Sequence, residues 1–240
     1  MGLMFNFFTR KKRVVLDTFT NNSAVYEFFK IDRAKSFTPQ WWKTTPSTTT
    51  QQNKFGLEFK EPTIRRCDGI LSLYQHGLVL PLWSDLVIET TSAGQFRYQY
   101  SANETLPIDL HDASPLGPAF NNYIRFKLHS PWLIEEKSGV NFHLSAPTWN
   151  TIDTISSFHI LPGVLNFKDQ CSTHINGLIL KKDQRLEFSC GQAIAHMIPL
   201  DNVDIDLRHH LISTEEFEQR VLKFSYQSSF LGKYKKTKKL

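Results

Sequence analysis

The chain has 240 residues, of which 40% are apolar and 19 are Phe, so it can bury a large core and is not disordered throughout. No apolar run approaches the ~18 residues that a membrane-spanning helix needs. The net charge of +5 sits in two short segments, Arg10 to Arg13 and the lysines Lys233, Lys235, Lys236, Lys238 and Lys239; without those nine, 19 basic residues face 23 acidic ones. The basic balance therefore belongs to the ends of the chain and not to a face of the fold. A lysine-rich end can contact nucleic acid or an acidic partner through its charges; the plainer reading is a solubilising tail. Cys67, Cys171 and Cys190 are odd in number and widely spaced, which predicts reduced thiols and no zinc motif. Residues 1–8 are apolar, but basic residues follow them, the reverse of a secretory leader. Asn6 stands where a myristoylation signal needs Ser or Thr.

In chain order, residues 14–20 are rich in β-branched side chains and predict a strand, which Asn21, Asn22 and Ser23 end. Residues 24–29 suit either a helical turn or a short strand. Pro39 then precedes two adjacent tryptophans, Trp41 and Trp42. They predict large anchors that pin a loop to the body; the functional reading is a stacking or carbohydrate platform, which a second aromatic ladder would be needed to complete. Residues 44–53 are polar and of low complexity and predict a mobile linker. It separates an N-terminal arm (1–43) from the main β domain (54–208).

Asp68 and Gly77 bracket a short helical stripe of Ile70, Leu73 and Tyr74. Strands follow over 78–83 and 86–91. Over 96–100 the residues alternate, with Phe96, Tyr98 and Tyr100 on one face. Residues 107–118 predict a loop. Further strands are expected over 123–128, 130–135, 140–144, 158–168, 175–180 and 186–200, with turns at Pro162-Gly163, at 181–184 and at Gly191. Strands recurring roughly every 8–12 residues predict a β-sandwich or barrel, of β-clip or jelly-roll type. His209 and His210 predict a solvated turn. Ser213 and Glu216 form a capping box, and Phe217, Val221 and Phe224 continue as a helical stripe, so a C-terminal helix is expected within 209–230, followed by a basic tail over 231–240.

Two resemblances bear on function. Pro39-Gln-Trp-Trp-Lys43, Ile64-Arg-Arg-Cys67, Gly77-Leu-Val-Leu-Pro-Leu-Trp-Ser-Asp85, Ser130-Pro-Trp-Leu-Ile134, Pro162-Gly-Val164 and Gly191-Gln-Ala-Ile-Ala-His-Met-Ile-Pro199 resemble, in that order, a family of uncharacterised proteins of marine tailed bacteriophages. That resemblance implies a viral protein, located in the virion or the host cytoplasm, and carries no activity with it. Gly163-Val-Leu-Asn166 followed by Gly191-Gln-Ala-Ile-Ala195 is similar to the third and fourth motifs of the dUTPase and dCTP deaminase superfamily. This second resemblance implies a β-clip fold, a homo-oligomer that is usually a trimer, and a nucleotide cleft near Gly163, Asn166 and Gly191 that uses Mg2+. The family's catalytic aspartate falls on Asn166, whose carboxamide cannot serve as a general base, and its sugar-packing aromatic falls on Asp169. Its phosphate motif and its glycine-rich tail are not matched.

Other chemistry is sparse. His143, His159, His174 and His196 lie on successive predicted strands, but without the short spacing of a metal site. Glu135 and Glu136 are adjacent, so on a strand they face apart. The expectation is a non-enzymatic, β-rich phage protein, structural or host-binding, with no cofactor. The alternative is a divergent nucleotide-binding protein or pyrophosphatase.

Overall fold

A computed structural model describes residues 11–101, 106–111, 116–150 and 157–235, with side chains as far as residue 224. The chain is mainly β, built as a sandwich. The first sheet is organised around β1 (Lys12–Thr20) and β9 (Tyr123–Glu136). Its order is β11 (Phe158–Ile160), β13 (Ser172–Leu180), β9, β1, β16 (Val203–Leu211). β9 is long enough to hold β8 (Ile108–His111) along its first half and β1 along its last, both on the edge opposite β13. The second sheet runs β12 (Gly163–Asn166), β10 (Asn141–Ser145), β15 (Ala193–Pro199), β5 (Leu78–Pro81), β2 (Asp32–Arg33). A third sheet joins β14 (Gln184–Phe188), β6 (Leu86–Thr90) and β7 (Phe96–Tyr100).

These sheets share one core. Val14 and Leu16 of β1, Trp132 and Ile134 of β9, Phe142 of β10, Leu80 of β5, Met197 of β15 and Ile88 of β6 belong to a single buried cluster. The alternation read over 96–100 is borne out: Phe96, Tyr98 and Tyr100 follow one another at ring distances of 6.0 and 5.8 Å. Among the described residues the sheets do not close into a barrel.

Among the described residues four α-helices accompany the sheets: α1 (Ser23–Phe28), α2 (Gln40–Thr44), α3 (Asp68–His76) and α4 (Thr214–Lys235). The helix expected after Asp68 forms, with Cys67 rather than Asp68 in the capping position. Ser213 accepts the Glu216 amide as a cap, at 3.2 Å. The Glu216 carboxylate does not complete the capping box, because it bonds Arg220 one turn on, at 2.9 Å. Phe217, Val221 and Phe224 pack as expected, against Phe19, Leu133 and Cys171.

Several expectations are corrected. Residues 12–20 are no peripheral arm, since β1 lies inside the first sheet with β9 antiparallel on one side and β16 parallel on the other. The polar stretch over 44–53 contains β3 (Thr48–Gln52), paired with β4 (Glu58–Pro62). Threonine favours extended backbone even where no apolar alternation signals it. The Asn53 side chain closes the hairpin by accepting the amides of Phe55 and Leu57 at 2.9 and 3.0 Å, and Gly56 takes the positive φ of 77° that the turn requires. Residues 108–111, read as loop, form β8. The break expected near His129 does not occur. Pro131, which lacks an amide, is accommodated within β9, where β13 shifts register between Ser172 and His174 and the Ser130 hydroxyl accepts the Trp132 amide. His209 and His210 lie in β16, not in a turn. That strand is masked in the sequence by Asp204, Asp206 and Arg208, because only Ile205 in it is fully buried.

Candidate binding site: an aromatic cleft beside helix α3

The hairpin corner that the second resemblance pointed to is structural in its bonding. Asn166 ends β12 and its carboxamide is occupied: Nδ2 donates to the Gly139 carbonyl at 3.2 Å and to Asn141 Oδ1 at 2.9 Å, while Oδ1 accepts the Lys168 amide at 3.1 Å. Asp169 lies exposed in the following turn. Gly163 has no left-handed φ, and a Cβ there would meet nothing within 4 Å, so the turn does not demand a glycine. Gly191 does demand one: it sits in the turn before β15 with φ 75°, its amide donating to Leu82 at 2.7 Å. Asn166 and Gly191 share no hydrogen-bond partner, and neither lines the two hollows described next. Lys233 and Lys235 fall in the last turn of the α4 backbone, and Lys236, Lys238 and Lys239 lie outside the described residues.

The first hollow gathers the aromatic residues. Pro39 starts α2, which places Trp41 and Trp42 about 100° apart around the helix. Trp41 Nε1 donates to the Trp149 carbonyl at 3.0 Å, and the two rings meet at 6.0 Å. Trp42 stacks on Tyr74 of α3, and Tyr74 stacks on His196 of β15, each at 6.3 Å. A small apolar cluster of Ala34, Ile70, Tyr74, Val79 and Ala193 supports them from below. The resulting cavity, of about 130 Å³, is walled by Tyr74 and Trp149 and edged by Ser145, Thr148 and His196. Strand register fixes the last contact, since Ser145 of β10 lies directly opposite His196.

Burial tunes the groups around this cavity. It pushes the Tyr74 phenol up to about 12, and its hydroxyl bonds Asn150 Oδ1 at 2.8 Å. Burial likewise lowers the His196 imidazole below the usual histidine value, so its ring is neutral at pH 7. The Nε2 edge of that ring lies against the end of α3. A Cβ on Gly77 would fall 1.9 Å from it. Trp42 Nε1 is buried and has no hydrogen-bond partner among the described residues. The anchor reading of Trp41 and Trp42 thus describes their packing; Tyr74 and His196 are buried and stacked within the fold, and Trp149 is the half-buried ring beside the cavity. Trp149 could not be matched to them from sequence, because it lies 108 residues from Trp41.

The second hollow, of about 810 Å³, lies between the first sheet and helices α1 and α4. It is rich in charge, and the charges answer one another. His210 Nε2 meets Asp17 at 2.8 Å. Arg220 bridges Glu135 at 2.6 Å and Glu216 at 2.9 Å. Its guanidinium also lies 3.9 Å above the Phe19 ring, against which His210 stacks at 4.7 Å. This arrangement acts as a clasp that fastens α4 to the sheet. Glu136, next in sequence to Glu135, turns inward as the strand geometry requires, and accepts the amides of Gly139 and Val140 at 2.6 and 2.8 Å. The four histidines at 143, 159, 174 and 196 are distributed over β10, β11, β13 and β15. Among the described residues no three His, Cys, Asp or Glu side chains converge as metal ligands would.

No family model matches the chain, and no curated protein matches it. Fold and site together define a β-sandwich protein with an aromatic-walled cleft at the junction of its second sheet and helix α3.

Proposed function

We propose that this protein is a non-enzymatic binding module of a bacteriophage, part of the virion or of its host-engaging apparatus, and that its cleft takes one ring of a saccharide. One observation carries the reading: the half-buried Trp149 ring, with Tyr74 behind it, is joined with the hydroxyls of Ser145 and Thr148 and the imidazole of His196 around a cavity of about 130 Å³. A sugar ring offers an apolar face for stacking and hydroxyls for a few placed polar groups, and this pairing of surfaces answers both. The cavity is below the ~300 Å³ of a pocket for a drug-sized ligand, and so suits a single ring at the end of a chain. Of the segments that resemble the phage family, Gly191 to Pro199 carries His196 to the cleft and Pro39 to Lys43 carries the tryptophans that pack beside it.

The test is titration of the protein with mono- and oligosaccharides of bacterial surface polymers, followed by tryptophan fluorescence. Saturable binding that Trp149→Ala abolishes, with the far-UV spectrum unchanged, is the expected result. Binding unaffected by that substitution, or turnover of deoxynucleoside triphosphates with Mg2+ that Asn166→Ala removes, would overturn it. Mass spectrometry of purified virions tests the location, with the protein expected among their components.

A further inference from the structure

The hairpin β3–β4 stands apart from the sandwich. Apart from Thr48, every residue of its two strands is exposed, and no other strand pairs with either of them among the described residues. An isolated two-stranded ribbon is marginal in water and persists when something covers it. Its tip and root are apolar: Phe55 is 75% exposed, Leu57 65% and Ile64 42%.

The two edges of the ribbon differ. Edge strands are ordinarily guarded by charge or proline. β4 has both, in Glu58, Lys60, Glu61 and Pro62, whereas Thr48, Thr49, Thr50, Gln51 and Gln52 of β3 carry no charge at all. The backbone direction on β3 can be read from the ends of the ladder. The Asn53 amide bonds Leu57 and the Ser47 carbonyl accepts from Thr63, so both residues face β4. Alternation then turns the N–H and C=O groups of Thr48, Thr50 and Gln52 outward, away from β4.

We infer that β3 pairs antiparallel with β3 of a second copy of this chain, about a two-fold axis through Thr50, giving a four-stranded ribbon β4–β3–β3–β4. Thr50 faces its own counterpart, and Thr48 faces Gln52 on either side, so the outward groups form about six hydrogen bonds. The symmetric arrangement is self-complementary, as an isologous contact must be. It is also free of like-charge opposition, which pairing through β4 would create by setting Lys60 against Lys60. In this register Phe55 of one copy reaches Thr45 and Pro46 of the other. Ile64 lies beside them, because Thr63 and Arg65 bond the Pro46 and Thr45 carbonyls. The pairing has the size of weak, transient interfaces, on the order of 1,000 Å², for which a Kd on the order of micromolar or weaker is expected. A two-fold dimer differs from the trimer that the second resemblance implied.

Sedimentation equilibrium from about 1 to about 300 µM spans that range. The wild-type chain is expected to pass from monomer to dimer. Thr50→Lys, on an exposed side chain, places two like charges across the axis and is expected to raise the dissociation constant about two- to fivefold with no loss of thermal stability of the monomer. Mixing T50K with T50E is expected to restore a dimer containing one of each. A monomer throughout, a trimer, a dimer indifferent to T50K, or no mixed dimer would each overturn the inference.

Discussion

Gly77→Ala isolates a contact that shapes the cleft. The backbone at Gly77 has φ −83°, which any residue adopts. On backbone grounds alone, alanine would stabilise the protein by about 0.4–1 kcal/mol, because it restricts the unfolded chain. The neighbourhood reverses that sign. The added Cβ would sit 1.9 Å from His196 Nε2, 2.7 Å from its Cδ2 and 2.9 Å from the Leu73 carbonyl oxygen, the first roughly 1.5 Å inside an ordinary contact. His196 cannot swing aside cheaply, being 6% exposed and stacked on Tyr74. Overpacking of this kind costs about 1–3 kcal/mol, so G77A is expected to destabilise by about 2–3 kcal/mol and to lower the urea midpoint by about 1 M. His196→Ala removes the obstructing ring, so G77A/H196A should fall well short of additive, with a coupling of about 1–2 kcal/mol. Equilibrium urea unfolding of the four proteins measures this, and saccharide titration should lose affinity in parallel. A neutral or stabilising G77A, or strict additivity, would refute the contact.

Three further outcomes are expected. Glu136→Ala leaves the inward amides at Gly139 and Val140 without an acceptor and should cost about 2–4 kcal/mol, read as a fall in urea midpoint. Arg220→Ala removes both carboxylate contacts and the packing on Phe19. A loss of about 1–2 kcal/mol is expected, with faster amide exchange in the first turns of α4 than in the sandwich. Hydrogen bonds from His129 and then Lys127 hold the Asp109 carboxyl down to about 2. A depressed carboxyl contributes stability that is full above its unfolded value and is lost as pH falls toward the folded one, so Asp109→Asn should flatten the acid limb between about pH 4 and pH 2, as followed by urea unfolding at each pH.

The strands were legible where one face is wet and the other dry. Residues 123–128 show this, because buried Ile124, Phe126 and Leu128 alternate with Arg125 and Lys127. Where a strand is polar on both faces the cue vanishes. β3 and β16 carry threonine, glutamine or acidic residues at positions that a periodicity argument assigns to loops. The site was legible only in halves. Trp41 and Trp42 stand out as a pair, yet the rings they meet come from α3, from residue 149 and from β15, and nothing local announces that convergence. His196 reads as one of several scattered histidines. Its importance comes from the absence of a side chain at Gly77, a position whose φ gives no hint that glycine is required.

The parallel pairing of β1 with β16 has a consequence for how the chain is made. The two strands lie about 190 residues apart, Lys12 opposite Val203 and Thr20 opposite Leu211. At the usual ribosomal pace of about 5–20 residues per second, β1 waits on the order of 10–40 s before its second neighbour has been synthesised. Through that interval Val14 and Leu16, fully covered in the finished protein, lack the strand that completes their sheet. Nascent chains of this protein should therefore be clients of holding chaperones until translation has passed residue 211.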